Sequence, residues 1–286
     1  MRIAIAGASG FVGSFLSEYF SKKGYEISKI GAADFDSNLV AKLEGAHIVI
    51  NLAGAPIIGR WSEEYKKILV SSRIETTSKL VKAICGLEQK PKSFFCASAV
   101  GYYKEGDNDE YEHKKADDFS GSLCENWENT AKEVEACGVK CVNMRFGLVI
   151  GKNGGALSQM LPAFKLGLGG KIGSGAQGFS WIHILDIARA IEFLFEKDQN
   201  GAFNFAAPNP TTNAGFTKAL GGVLGRPTIL PVPEFALRLL YSEGAKVLTD
   251  GQKVYPKKLL ELGFEFNYKT IENALAEALD YKVCRP

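Results

Sequence analysis

The chain opens on a strand-like run, Ile3-Ala4-Ile5-Ala6, and three glycines follow it at Gly7, Gly10 and Gly13. No other feature restricts the fold as much. A continuous apolar run suits a parallel strand buried on both faces. Gly7 permits a sharp turn, Gly10 lets a pyrophosphate approach the backbone, and Gly13 lets a helix pack closely on the strand. Phe11, Phe15, Leu16, Tyr19 and Phe20 then recur at helical spacing, and Gly24 after two lysines is a stop signal. A helix that begins at such a turn offers free N–H groups and a positive dipole end to phosphates. The turn "GASGFVG", with Ser9, Phe11 and Val12 between and beside the glycines, is therefore a candidate dinucleotide site.

Further apolar runs follow: "AHIVINLAG", "SFFCASAVG" and "KCVNMRFGLVIG". Helical patterns over about 62 to 87 and 120 to 137 separate them. Alternating strands and helices predict an α/β fold with a doubly wound parallel sheet. The span between "EISKI" and "AHIVINLAG" is short, as if one crossover were abbreviated. After Gly151 the character changes to glycine-dense and then proline-rich sequence. We expect residues 1–150 to form the nucleotide-binding domain. Residues 151–286 then form a smaller α/β substrate-facing region, with some segments returning to the sheet and a groove between the two.

The net charge of +2 over 286 residues gives no reason to expect nucleic acid or an anionic membrane as partner. No run reaches the ~20 apolar residues of a membrane span, and the first strand starts too early for a signal peptide. The six cysteines include no Cys-x-x-Cys pair, and only His47, His113 and His183 could join them around a metal. That pattern predicts no metal site and reduced core thiols in a cytoplasmic protein.

Cofactor preference depends on the residues after the second strand, where an acid reads the ribose of NAD and an Arg favours NADP. Here the sequence is "SKIGAADFD". Asp34 and Asp36 come late for an NAD reader, and Asp36-Ser37 also fits a helix N-cap. Lys29 and Arg73 are the cations considered for a 2′-phosphate. The preference stays open between NADP and NAD.

The motifs "GASGFVG", "NLAGAPI", "SSRIETT", "SAVGYY", "RFGLVIG", "GSGAQGFSWIHILDIARAI", "FNFAAPNPTTN" and "DGQKVYPKKLLELGFEF" occur in that order. Together they resemble, essentially end to end, the sugar-nucleotide epimerase branch of the extended short-chain dehydrogenase/reductase superfamily. The resemblance implies a Rossmann-type NAD(P) domain. By position it puts Leu52, Ala53 and Gly54 beside the adenosine and pyrophosphate, Arg73 on the next helix, and Arg145 at the groove mouth. Ser98 matches the family's catalytic serine at a strand end and also borders the cofactor.

The family's acid/base pair is Tyr-x-x-x-Lys, one turn apart on a helix. A literal copy exists at Tyr111 and Lys115, but "KEGDNDEYEHKKADD" is highly charged and reads as an exposed loop. On the helix expected to carry the pair stand Leu123 and Trp127, and this branch has "WE" there in place of the lysine. The remaining catalytic candidates are Tyr102 and Tyr103, which leave the strand after Ser98, and His183, whose ordinary pKa is near neutrality. Asp186 reads as the N-cap of the helix "DIARAIEFLF". The expected activity is an NAD(P)-dependent, epimerase-like oxidoreductase acting on a small polar substrate, with a nucleotide sugar as one candidate. The rival expectation is an NAD(P)-binding sensor without turnover. Monomer and homodimer both remain open.

Overall fold

Residues 1–281 are described by a computed structural model of the chain. Its first half runs β1 (Arg2–Ala6), α1 (Phe11–Lys22), β2 (Glu26–Ile30), α2 (Asp34–Ser37), α3 (Leu39–Leu43) and β3 (Ile48–Asn51). Then come α4 (Glu63–Val70), α5 (Thr76–Gly86), β4 (Ser93–Ala99), β5 (Gly106–Asn108), α6 (Phe119–Lys132) and β6 (Lys140–Phe146). Beyond these lie β7 (Leu148–Ile150), α7 (Gly155–Lys165), β8 (Gly178–Phe179), β9 (Trp181–His183), α8 (Ile184–Glu196) and β10 (Gly201–Phe205).

The six-stranded sheet has the order β10-β6-β4-β3-β1-β2, and every neighbouring pair is parallel. This is the Rossmann-type doubly wound sheet. The abbreviated crossover expected after β2 has a clear consequence: β2 is the sheet edge, and the chain passes directly to β3 on the far side of β1. Strand order reverses between β1 and β3, which is where ligands bind in such sheets.

Strand residues alternate cleanly between two cores. Ile3, Ile5, Ile48, Ile50, Val142 and Met144 pack with α1 and α8 on one face. Ala4, Ala6, Val49, Phe94, Cys96 and Cys141 pack with α3, α5 and α6 on the other. Burying both faces is what forces apolar residues at every strand position. The chain after Gly151 does return to the sheet: β10 pairs with β6, and α8 covers α1. A third core joins Ile150 and Trp181 to Phe216, Leu220 and Leu275.

Three expectations need correction. Cys85 and Cys137 form a disulfide, with Cα atoms 5.5 Å apart, so these cysteines are not both reduced thiols. They end two helical segments whose docking brings positions 52 residues apart together. Cys96, Cys124 and Cys141 are free and buried, as expected; Cys284 lies outside the described residues. The N-cap of α8 is His183, not Asp186. Asp186 is fully buried instead, accepting the N–H groups of Asn267 and Tyr268 and pairing with Arg189. The charged segment after Lys104 is only partly an exposed loop. Its β5 pairs with Gln252–Val254, and Glu110 is buried.

Candidate functional site

The glycine turn has the geometry its spacing demands. Gly7 has φ +78°, and a Cβ there would lie 2.8 Å from the carbonyl carbon of Leu52, so the turn sits against the end of β3. A Cβ on Gly13 would come 2.2 Å from Gly7 O, which shows how closely α1 packs on the turn. Gly10 is the N-cap of α1, with no side chain capping the helix and no acid in its first turn. The first N–H groups of the helix are therefore left for an anion. Ser9 is exposed at the turn. Phe11 and Val12 are partly buried. The Phe11 ring packs against Gly151, Gly154 and Gly155, and Val12 packs on the core.

A cleft of about 440 Å³ continues from Gly7 and Ser9 past the end of β2 to Ala53, Gly54 and the start of α5. Its wall is held by a buried relay. Asn51 Oδ1 accepts the Ala53 N–H at 3.1 Å, while its Nδ2 donates to Thr77 Oγ1 at 2.8 Å. Thr77 Oγ1 also receives the Trp127 indole N–H at 2.9 Å. Leu52 packs on both cores beside it. Between α4 and α5, Ser71–Glu75 is π-helical. That extra residue per turn lets Ser72 accept the Ala55 N–H while Arg73 donates to the Ala55 carbonyl at 2.9 Å. Arg73 is buried, also donates to Leu69 O, and stacks on Trp127. It therefore clamps the Gly54–Ala55 loop from beside the cleft. Lys29 is exposed on β2 and does not line the cleft.

At the end of β4, Ser98 donates to Glu128 Oε1 at 2.6 Å. Arg145 grips both Glu128 oxygens, Nε to Oε1 and a terminal nitrogen to Oε2, each at 2.7 Å. Its other terminal nitrogen donates to the Tyr103 hydroxyl at 2.8 Å, and that hydroxyl donates to Asn204 Oδ1 at 2.7 Å. Burial opposes the charge on Arg145, but the Glu128 carboxylate outweighs it and raises the pKa. Burial likewise pushes the Tyr103 phenol up to about 12. Tyr103 is fully buried and Arg145 is 5% exposed. Both side chains are spent on this network, which reaches Ser98 through Glu128. Tyr102 is half-buried, with the Arg145 guanidinium 3.7 Å from its ring centre.

His183 is 2% exposed and both its ring nitrogens are occupied. Nδ1 accepts the Leu185 N–H at the head of α8, and Nε2 bonds Glu277 at 2.8 Å. Burial lowers its pKa despite Glu277. This histidine caps α8 and ties it to Glu277. Tyr111 is exposed and donates to Glu261, which pushes its phenol pKa up, opposite to what a phenolate catalyst needs. Lys115 pairs with Glu125 at 2.5 Å. Leu123 and Trp127 are both buried in apolar clusters.

Glu128 was missed in sequence. Its signal was present: Cys124, Trp127 and Ala131 form a buried helix face, and a carboxylate on that face needs a buried partner. Among the described residues no cluster of ligands could hold a metal. None of the described helices is long and apolar enough to cross a membrane.

A parallel sheet with its glycine turn at the strand-order reversal and a serine at the end of β4 defines an extended short-chain dehydrogenase/reductase fold. Residues 3–206 match the NAD dependent epimerase/dehydratase family, and the chain belongs to that family. The expected NAD(P) cofactor accords with it. Residues 232–278 match a domain of unknown function, DUF1731. The chain is 39% identical over 298 residues to the chloroplastic epimerase family protein SDR39U1 homolog of Arabidopsis thaliana, covering 96% of this chain and 86% of that one. It is 35% identical to the epimerase family protein SDR39U1 of Mus musculus, covering 98% and 100%. The crystal structure of human SDR39U1 (isoform 2) with NADPH superposes with a TM-score of 0.90 at 33% identity, covering 98% and 99%. A Bacillus cereus UDP-glucuronic acid 4-epimerase with UDP-glucuronic acid and NAD gives 0.79 at 18% identity over 98% of each chain, a likeness of fold.

Proposed function

We propose that the chain is an epimerase-type oxidoreductase that binds NADP or NAD in the cleft beside Gly7 and acts on a small polar substrate of the nucleotide-sugar class. It does so without a Tyr-x-x-x-Lys pair. The observation that carries this reading is the uncapped α1 N-terminus at Gly10, set against Leu52 where the strand order reverses. The human relative's structure with NADPH supports it. The region after Gly151 supplies the substrate-facing side.

A bound nicotinamide would supply the hydride acceptor or donor. The α1 N–H groups would hydrogen-bond the pyrophosphate, and Asn51, Thr77 and Arg73 would keep Ala53–Ala55 in place beside it. Ser98 is itself only 3% exposed and commits its single proton to Glu128, so its oxygen offers only lone pairs; a substrate hydroxyl reaching this strand end would donate to it. Tyr102 is the remaining phenol next to this strand end with partial access to solvent.

A second reading, a nucleotide-responsive protein without turnover, draws on the burial of Leu123 and Trp127 at the positions expected for the pair. One series separates the two. Cofactor-stripped protein is titrated calorimetrically with NADPH and NADH, then assayed by nicotinamide absorbance against a panel of nucleotide sugars. Turnover abolished by Ser98→Ala and kept by Tyr111→Phe supports the enzyme. Binding with no turnover across the panel supports the second reading. No binding of either cofactor refutes both.

A further inference from the structure

We infer that Lys79 reads the 2′-phosphate of NADP(H), exchanging its ion pair with Asp36 for the phosphate. This rests on the cofactor reading above and assigns the residue that sets cofactor preference.

Folds of this class discriminate at the end of the second strand, by an acid for ribose hydroxyls or an Arg for the 2′-phosphate. Here Ile30 is followed by Gly31 and Ala32, so the usual place holds no cation. The charged residues lining the cleft are Asp36, Glu75 and Lys79. Other nearby charged groups are committed elsewhere. Asp34 accepts the Gly31 N–H at 2.7 Å, and Arg73 holds Ala55 and Leu69. That leaves one carboxylate at the β2 side and one ammonium on α5, joined Nζ to Oδ1 at 2.6 Å.

Both members are at least half exposed, so the pair holds weakly and can be exchanged. A lysine is suited to the exchange because its stem is long and its ammonium donates in any direction. With Glu75 and Asp36 both acidic, Lys79 is the one cation among the described residues that line the cleft, and so the side chain there that attracts a 2′-phosphate dianion. Asp36, in turn, is an acceptor for ribose hydroxyls when the phosphate is absent. The pair thus lets one cleft take both dinucleotides, and the ammonium decides between them.

The test is calorimetric titration of cofactor-stripped wild type, Lys79→Gln, Lys79→Arg and Asp36→Asn with NADPH and with NADH. Lys79→Gln should weaken NADPH by about tenfold or more and leave NADH within about twofold, the difference one charge-assisted bond makes. Lys79→Arg should retain NADPH affinity. Asp36→Asn should tighten NADPH and weaken NADH. Added salt should weaken NADPH binding more steeply in wild type than in Lys79→Gln. Equal loss of both dinucleotides in Lys79→Gln, or no loss of either, overturns the inference while leaving the cofactor site standing. Failure of the wild type to bind either dinucleotide overturns the site itself.

Discussion

Ser98 and Glu128 meet at 2.6 Å between the end of β4 and the middle of α6, and the serine is the donor. Glu128 is in turn held by Arg145, with both side chains at most one-tenth exposed. Removing one member of a buried, doubly bonded ion pair leaves the other charge uncompensated. Glu128→Ala should cost about 3–5 kcal/mol of unfolding free energy, measured by urea denaturation. Ser98→Ala removes a single hydroxyl and should cost about 1 kcal/mol. A Glu128→Ala protein as stable as wild type would show that Arg145 finds water instead.

Gly13→Ala places a methyl 2.2 Å from Gly7 O and 2.8 Å from Ala8 Cα, both backbone atoms that cannot step aside cheaply. We expect a loss of about 1–3 kcal/mol from overpacking, with weakened NAD(P)H binding as the turn shifts. Gly222→Ala is the opposite case. Its Cβ meets nothing within 4 Å inside the Asn213–Leu224 helix, so it should stabilise by about 0.5–1 kcal/mol. Thermal melts of the two variants should move in opposite directions.

Thr77 is the one oxygen that receives both Asn51 and Trp127. Thr77→Val keeps the volume but orphans the buried Trp127 indole N–H, at about 1–3 kcal/mol, and leaves Asn51 Nδ2 only the weak acceptor Cys96 Sγ at 3.6 Å. Because Asn51 also holds the Ala53 N–H, dinucleotide affinity should fall with stability, whereas Thr77→Ser should preserve both. Unchanged affinity in Thr77→Val would detach the relay from the cleft wall.

Burial holds the folded-state pKa of His183 below its usual 6.5. As pH falls through that value, the unfolded chain takes up the proton before the folded chain does. Stability is therefore intact above this range and declines as the pH drops from about 6.5 toward the folded pKa. His183→Gln should flatten that part of the stability–pH curve, whatever its effect on absolute stability. The steeper acid loss from paired carboxylates such as Asp198, whose pKa is lowered by Lys140, lies at lower pH and should persist.

Cys85 and Cys137 close a long loop between α5 and the segment after α6. Thiol titration of denatured protein should yield two more thiols after reductant than before. Cys85→Ser with Cys137→Ser should cost about 2–4 kcal/mol. Equal thiol counts would leave both residues as helix-end thiols.

Much of the fold was legible because its signals are local. The run Ile3–Ala6, the three glycines and the helical spacing from Phe11 to Phe20 each act within one strand or a few helical turns. Steric and periodic rules apply there without knowledge of the rest of the chain. The charged, aperiodic stretch around Tyr111 shows where local rules stop: Tyr111 itself is exposed, yet β5 and the buried Glu110 fold against distant residues. The sequence by itself thus determined the strand–turn–helix start, the double winding and the serine at the end of β4. Tertiary structure decided which side chains are spent on one another. Arg145, Tyr103 and His183 look like site residues in one dimension and are buried by partners far along the chain, at Glu128, Asn204 and Glu277. Lys79 and Asp36, 43 residues apart, meet only because β2 is the sheet edge and α5 docks beside it. Hydrogen bonds and ion pairs between distant residues depend on strand order and helix docking, which no local pattern encodes.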